Sequence, residues 1–282
     1  MTTRIGHRFE ELRRAGDLGL VAYLTAGDPS LDATRRIVLA AAEAGADVIE
    51  LGVPFSDPLA DGPVIQRASA RALKAGTTLS GVLDLVRDLR AHSQVPLVLF
   101  TYFNPVLQMG LEAFAERAHS SGADGALITD LPPEDSTDYR RALHSRGLDT
   151  IFLAAPTTGD QRMRRIADAS SGFLYVISRT GVTGERDSLA DELPALLRRA
   201  RQATSLPIAV GFGISLPGHV SLIGGLADAA VVGSALVAEV ERARSPEEAA
   251  ANVAARVRVL KQAGLRGMSR RQAAAAEQGG QP

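Results

Sequence analysis

The sequence contains no cysteine, which excludes a disulfide framework, a thiolate nucleophile and thiolate-held zinc or iron–sulfur centres. No sign of charge dominates either. Lys+Arg 31 against Asp+Glu 32 leaves a formal net charge of -1, so no field draws the chain onto nucleic acid or an anionic membrane. No apolar run approaches the roughly 18 residues of a membrane-spanning helix. The polar N-terminal stretch Met1–Glu10 lacks the apolar core of a secretory signal, and a soluble, cytoplasmic protein is expected. H-E-x-x-H, Walker A and G-x-S-x-G elements are all missing. None of His7, His92, His119, His144 and His219 stands at the C-terminal end of an expected strand, and Lys74 and Lys261 both fall in helical stretches. Neither a metal site nor Schiff-base chemistry is expected.

What is present is a chain of 282 residues, 45% hydrophobic, with 27 Gly and 14 Pro, long enough to bury a large core. Short apolar runs recur at Leu20–Ala26, Asp47–Leu51, Leu97–Tyr102, Gly125–Thr129, Thr150–Ala154, Phe173–Ser178, Ile208–Gly211 and Ala229–Gly233. They are continuous rather than alternating, the pattern of parallel strands buried on both faces. Helical spacing fills the gaps: Leu79, Val82, Leu83, Val86 and Leu89 share one face, as do Leu111, Phe114, Ala115 and Ala118, and Leu193, Leu196, Leu197 and Ala200. Ile5, Phe9 and Leu12 predict an extra helix before the first strand. Gly45-Ala-Asp47, Gly122-Ala-Asp124 and Gly147-Leu-Asp149 repeat a unit of helix end, Gly-x-Asp and strand, with Gly225-Leu-Ala-Asp228 one residue longer.

Eight strands alternating with helices leave an open doubly wound sheet or a closed barrel. A dinucleotide-binding sheet needs G-x-G-x-x-G after its first strand, where Thr25-Ala-Gly-Asp-Pro29 stands instead. The only G-x-G, Gly211-Phe212-Gly213, has Leu216 in place of the third glycine. The expected fold is α/β: a single (β/α)8 TIM barrel over 1-271, with an N-terminal extra helix and extended loops after strands 2 and 6. Those loops lie on the C-terminal face, where such barrels carry their sites. From about Gln272 the sequence AAAAEQGGQP loses apolar periodicity, and 272-282 reads as a disordered tail.

Alternation along strand 2 puts Ala46, Val48 and Glu50 on one face and Asp47, Ile49 and Leu51 on the other. If Ala46 and Val48 line the barrel interior, Glu50 points inward at the strand's C-terminal end. It is then either a desolvated acid/base group or a structural carboxylate bonded to a neighbour. Asp61, in the loop carrying Pro54, Asp57, Pro58 and Pro63, either meets a substrate N–H or a developing positive charge, or caps the helix that begins near Gly62. Gly211-Phe212-Gly213-Ile-Ser215 follows strand 7, and Gly233-Ser234 opens a helix after strand 8. Paired glycine loops at this place in a barrel favour a phosphate-bearing substrate. Ser178–Asp187, with Gly181 and Gly184, reads as a mobile lid or a plain surface loop. Tyr175 offers its hydroxyl to a substrate or to a backbone partner in the core.

Glu50-Leu-Gly-Val-Pro-Phe-Ser-Asp-Pro-Leu-Ala-Asp-Gly-Pro63 resembles the signature of the tryptophan synthase alpha chain family. Tyr23-Leu-Thr-Ala-Gly-Asp-Pro29, Tyr102-Phe-Asn-Pro105, Asp130-Leu-Pro132, Tyr175–Gly184, Gly211–Ser215 and Gly233-Ser234 follow in the family's order, and the likeness spans about residues 4–265. The resemblance implies retro-aldol cleavage of indole-3-glycerol phosphate to indole and glyceraldehyde 3-phosphate. Glu50 would be the acid/base and Asp61 the partner of the indole N–H. Tyr23, Tyr175 and Phe212 would contact substrate, Thr183 would belong to the lid, and Gly184, Gly213, Gly233 and Ser234 would bind phosphate. It also implies a beta-chain partner in an alpha2-beta2 tetramer, docked through Pro54, Asp57, Pro58 and Asn104. This chain would need no cofactor, and pyridoxal phosphate would belong to the beta chain. A stand-alone lyase releasing free indole, and a silent phosphate-binding barrel that activates a partner, share the same residues.

Overall fold

The computed structural model describes residues 3–178, 189–211 and 213–278. Nine strands run through them: β1 (Gly19–Thr25), β2 (Val48–Gly52), β3 (Leu97–Thr101), β4 (Gly125–Ile128), β5 (Asp149–Ile151), β6 (Leu153–Ala154), β7 (Leu174–Ile177), β8 (Ile208–Gly211) and β9 (Ala229–Val232). All pairings are parallel, in the order β5-β4-β3-β2-β1-β9-β8-β7-β6. The two ends of that order, β5 and β6, are halves of one expected strand interrupted at Phe152. A sheet whose terminal strands are consecutive in the chain has come round on itself, and the barrel is closed but for that break.

Two apolar layers follow from the alternation of strand side chains. Val21, Tyr23, Val48, Val98, Phe100, Leu127, Ile151, Phe173, Tyr175, Ala209 and Val231 pack together inside the barrel. Leu20, Ala22, Leu24, Ile49, Leu51 and Leu99 face outward onto Ile37, Val38, Val82, Leu83, Val86 and Leu89 of the surrounding helices. The expected extra helix is present as Arg4–Ala15. Thr3 caps it by accepting from the Gly6 N–H, and Gly16 ends it at φ 70°. Its apolar face (Ile5, Phe9 and Leu12) joins the inner layer, with Phe9 and Phe173 ring centroids 5.7 Å apart, and so plugs the N-terminal end of the barrel.

The Gly-x-Asp repeat has a mechanical role at that same end. Asp47 accepts from the Leu20 N–H at 2.6 Å, Asp124 from Leu97 at 2.7 Å and Asp228 from Ile208 at 2.7 Å. Each aspartate thus ties its own strand to the beginning of the neighbour, fixing the β1–β2, β3–β4 and β8–β9 registers. Basic side chains complete the ties: Arg8 and Lys261 on Asp47, Arg4 and Arg90 on Asp124, and Arg201 on Asp228.

The long interval after β2 holds the expected loop and also two helices, Pro63–Lys74 and Leu79–Arg90. The last helix, Pro246–Gln278, runs on through positions expected to lie in a disordered tail. Losing an apolar face removes packing but not helical propensity, and the Ala273–Ala276 run is the best helix former available. Among the described residues, no helix is long and apolar enough to cross a membrane.

Candidate active site

Glu50 is fully buried, as the alternation of β2 requires, on the same side as Val48 and opposite Ile49 and Leu51, whereas Ala46, which precedes the strand, packs in the outer layer rather than inside. It is paired in register with Tyr23 on β1 and Val98 on β3. Neither carboxylate oxygen has a hydrogen-bond partner among the described residues. The structural alternative, a carboxylate bonded to backbone or arginine, is not realised among the described residues. Burial without compensation disfavours the charged form and pushes the Glu50 carboxyl up to about 8. At neutral pH it is mostly a proton-bearing acid.

Two tyrosines share the interior with it. Tyr23 lies edge-on to Phe100, centroids 5.2 Å apart, and its hydroxyl sits across the end of β2, so close that a Cβ on Gly52 would come within 2.1 Å of it. Tyr175 lies in the same way across Gly211 at the end of β8, where a Cβ would come within 2.2 Å of its hydroxyl. Burial pushes both hydroxyls up. Asp61 and Glu50 add to this at Tyr23, and Glu50 and Tyr23 add to it at Tyr175. Both phenols stay protonated, facing the Glu50 carboxyl.

Asp61 does not cap a helix. Gly62 is the N-cap of Pro63–Lys74, with no side-chain cap bond. The Asp61 carboxylate is instead buried and accepts a hydrogen bond from the Tyr102 hydroxyl at 3.0 Å. Burial raises its pKa to about 6 and the Tyr102 bond lowers it, so the raised value is what burial leaves. Near neutrality Asp61 is mostly ionised while Glu50 is mostly protonated. Two carboxyl groups with separated pKa values can serve one as acid and the other as a resident anion.

Tyr102 is the site residue that reading the sequence for candidates leaves out. Its ring stacks on Phe55, centroids 5.0 Å apart and planes at 28°, and its oxygen accepts from the Ala60 N–H at 3.0 Å. It thereby folds the loop after β2 over the mouth of the barrel. The signal was available: Val98 and Phe100 face inward, so Tyr102 continues the same face just beyond β3.

The loops after β8 and β9 lie side by side, because those strands pair. Gly233 is the N-cap of the helix Ser234–Arg242, whose first turn holds no acidic residue and no side-chain cap bond. Its first N–H groups and the positive end of the helix dipole are open to an anion. Gly213, in the other loop, takes φ 82°, a conformation that favours glycine. Thr183, Gly184 and Phe212, with the expected lid, lie outside the described residues.

Of the expected docking positions, Asp57 and Asn104 are exposed, Pro58 is half-buried and Pro54 is buried. Leu59 and Leu107, on the same two abutting segments, are 90% and 54% exposed. Among the described residues, no group of three or more His, Asp or Glu side chains is placed to hold a metal ion.

The chain matches the family model described as tryptophan synthase alpha chain over residues 9–264. It is 55% identical over 240 residues to the tryptophan synthase alpha chain of Solibacter usitatus, covering 85% of this chain and 90% of that protein. The crystal structure of tryptophan synthase subunit alpha from Legionella pneumophila superposes with a TM-score of 0.85 at 36% identity, covering 93% of this chain and 98% of that one. The structure of Mycobacterium tuberculosis tryptophan synthase gives 0.85 at 33% identity, with 93% and 98% covered. An inward, unpartnered glutamate, a tyrosine-held aspartate, an open helix N-terminus and a match across nearly the whole barrel lead to one conclusion: the chain belongs to the tryptophan synthase alpha chain family.

Proposed function

We propose that the protein cleaves indole-3-glycerol phosphate to indole and glyceraldehyde 3-phosphate, with Glu50 as general acid and base and Asp61 as the anion that holds the ring nitrogen. The observation that carries this reading is the Glu50 carboxyl, buried without a partner among the described residues and pushed up to about 8, together with an Asp61 at about 6.

Glu50 gives its proton to C3 of the indole ring. The positive charge that results is shared with the ring nitrogen, whose N–H donates to the Asp61 carboxylate. In a water-poor barrel mouth such a fixed anion stabilises developing charge more than water would. The ionised Glu50 then takes the proton from the hydroxyl on the side-chain carbon bonded to C3. That C–O becomes a carbonyl, the C–C bond breaks, and its electron pair restores the C2–C3 double bond of indole. One proton is delivered and one recovered, so Glu50 ends as it began.

The phosphate is held by the open backbone of Gly213, Gly233 and Ser234, and the aromatic half by Tyr23 and Tyr175. The chain needs no cofactor for this. Pyridoxal phosphate belongs to the beta chain, which we place against the exposed Asp57, Leu59, Asn104 and Leu107 surface in an alpha2-beta2 tetramer. A cytoplasmic location is part of the same proposal.

The test is indole release from indole-3-glycerol phosphate by wild type and Glu50→Gln, each alone and with the beta chain. Slow release that the partner accelerates, and that the variant lacks, supports the subunit reading. Fast release without the partner moves the protein to a stand-alone lyase, and no release under any condition removes the activity.

A further inference from the structure

Arg256 stands apart from the paired arginines of this barrel. Arg8, Arg71 and Arg90 each rest on a buried carboxylate, whereas Arg256 has no carboxylate partner among the described residues. It projects from the helix Pro246–Gln278, and its Nη2 donates to the Ser215 carbonyl at 2.5 Å. Its Nε is buried and has no partner among the described residues. A guanidinium carries a positive charge, and no described carboxylate pairs with this one where it is held against the loop that follows β8.

That loop is fixed from both sides by side chains. The Ser215 N–H donates to His219 Nδ1 at 3.4 Å, while its carbonyl accepts from Arg256. The peptide planes on either side of Ser215 are therefore both set from outside the loop, because C=O and N–H of a planar peptide move together. Gly213, two residues earlier, is in the φ 82° conformation, and Ile214 between them is buried. The Ser215 carbonyl is thereby drawn toward the helix Pro246–Gln278, while at the neighbouring end of β9 Gly233 opens the next helix.

We propose that Arg256 is a positioning residue of the anion site: it holds the Gly213–Ser215 turn in its phosphate-binding shape and supplies that site's fixed positive charge from behind. This rests on the reading above that the loops after β8 and β9 receive a phosphomonoester. Those loops otherwise offer backbone dipoles and the hydroxyls of Ser215 and Ser234. A dianion gains from a full charge nearby, and a loop already held in shape spares the ligand the cost of ordering it.

The experiment measures binding of glycerol 3-phosphate and, separately, of indole to the full chain as wild type, Arg256→Gln and Arg256→Lys, together with KM and kcat for indole-3-glycerol phosphate. Arg256→Gln should weaken glycerol 3-phosphate binding on the order of ten-fold, the size of one charge-assisted contact. KM should rise by a similar factor, kcat should change far less, and indole affinity should hold. Arg256→Lys, which keeps the charge and one donor, should recover much of the loss. Unchanged glycerol 3-phosphate affinity in Arg256→Gln overturns the proposal. So does a parallel loss of both ligands with a lowered Tm in both variants, which assigns a merely structural role. If wild type itself fails to bind glycerol 3-phosphate, the phosphate reading falls and takes this proposal with it.

Discussion

The Tyr102 hydroxyl links the main chain of the loop after β2 to the carboxylate of Asp61, accepting from the Ala60 N–H and donating to Asp61 Oδ2, both at 3.0 Å. One phenol thus sets the position of the aspartate and part of its acidity, since this bond lowers a pKa that burial raises to about 6.

Tyr102→Phe should therefore raise the Asp61 pKa and shift upward the acidic limb of the pH–rate profile. Near pH 7 a larger share of Asp61 is then protonated and unable to hold positive charge, so kcat should fall several-fold at pH 7 and recover partly at higher pH. A profile that keeps its acidic limb unmoved would separate Tyr102 from the electrostatics of Asp61.

In wild type the two carboxyls should give a bell. Activity needs Asp61 ionised and Glu50 protonated, so it rises through about 6 and falls through about 8. A profile of kcat/KM between pH 5 and 10 tests this. A rate still climbing at pH 9 would deny Glu50 the role of proton donor.

Glu50 also makes a prediction about stability, with a definite sign. Its folded pKa, about 8, lies above the ordinary 4.5, so the folded state holds a proton that the unfolded chain releases. Stability is unaffected below about 4.5 and is lost progressively as pH rises from there through about 8. Glu50→Gln cannot ionise, and should remove turnover while gaining stability at pH 8, by up to a few kcal/mol. Thermal melts of both proteins at pH 5 and pH 8 give the readout. A gap that does not widen with pH would mean Glu50 is not the buried acid described.

Arg71 ties together three pieces of the active face. It donates to both oxygens of the buried Asp28 at 2.8 Å and to Glu241, which Arg67 also grips through both oxygens. Arg71→Met leaves Asp28 buried and unpaired, and should cost about 3 kcal/mol of stability in urea unfolding. A cost near zero would mean that Asp28 reaches water on its own.

How much of this was legible in the sequence follows from what each signal depends on. Alternation along a strand is local, so the inward placement of Glu50 could be read from Val48 and Ile49 alone. The same rule extended past β3 points to Tyr102, yet its bond to Asp61 joins positions far apart in the chain and leaves no spacing to read. The choice between cap and site at Asp61 turned on the geometry of Gly62, which composition does not reveal. The break at Phe152 is a matter of sheet pairing, invisible in a run that is apolar throughout. The helix beyond Gln272 persists on alanine propensity after its apolar face ends.

The phosphate loops offer two glycines for substitution, and the structure makes one of them the cleaner test. Gly213 has φ 82°, so any side chain there strains the backbone and confounds folding with binding. Gly233 has φ -117°, and a Cβ on it would meet the Tyr23 Cβ at 3.4 Å, an ordinary contact. Gly233→Ala should fold with nearly the wild-type Tm. The added methyl stands at the N-cap, where the open N–H groups of the helix Ser234–Arg242 would receive a phosphate, and keeps the anion from approaching them. KM for indole-3-glycerol phosphate should rise on the order of ten-fold while indole binding is unchanged. An unaltered KM in a well-folded Gly233→Ala would place the phosphate elsewhere on the barrel, and unchanged indole binding would show that the new contact with Tyr23 leaves the aromatic half in place.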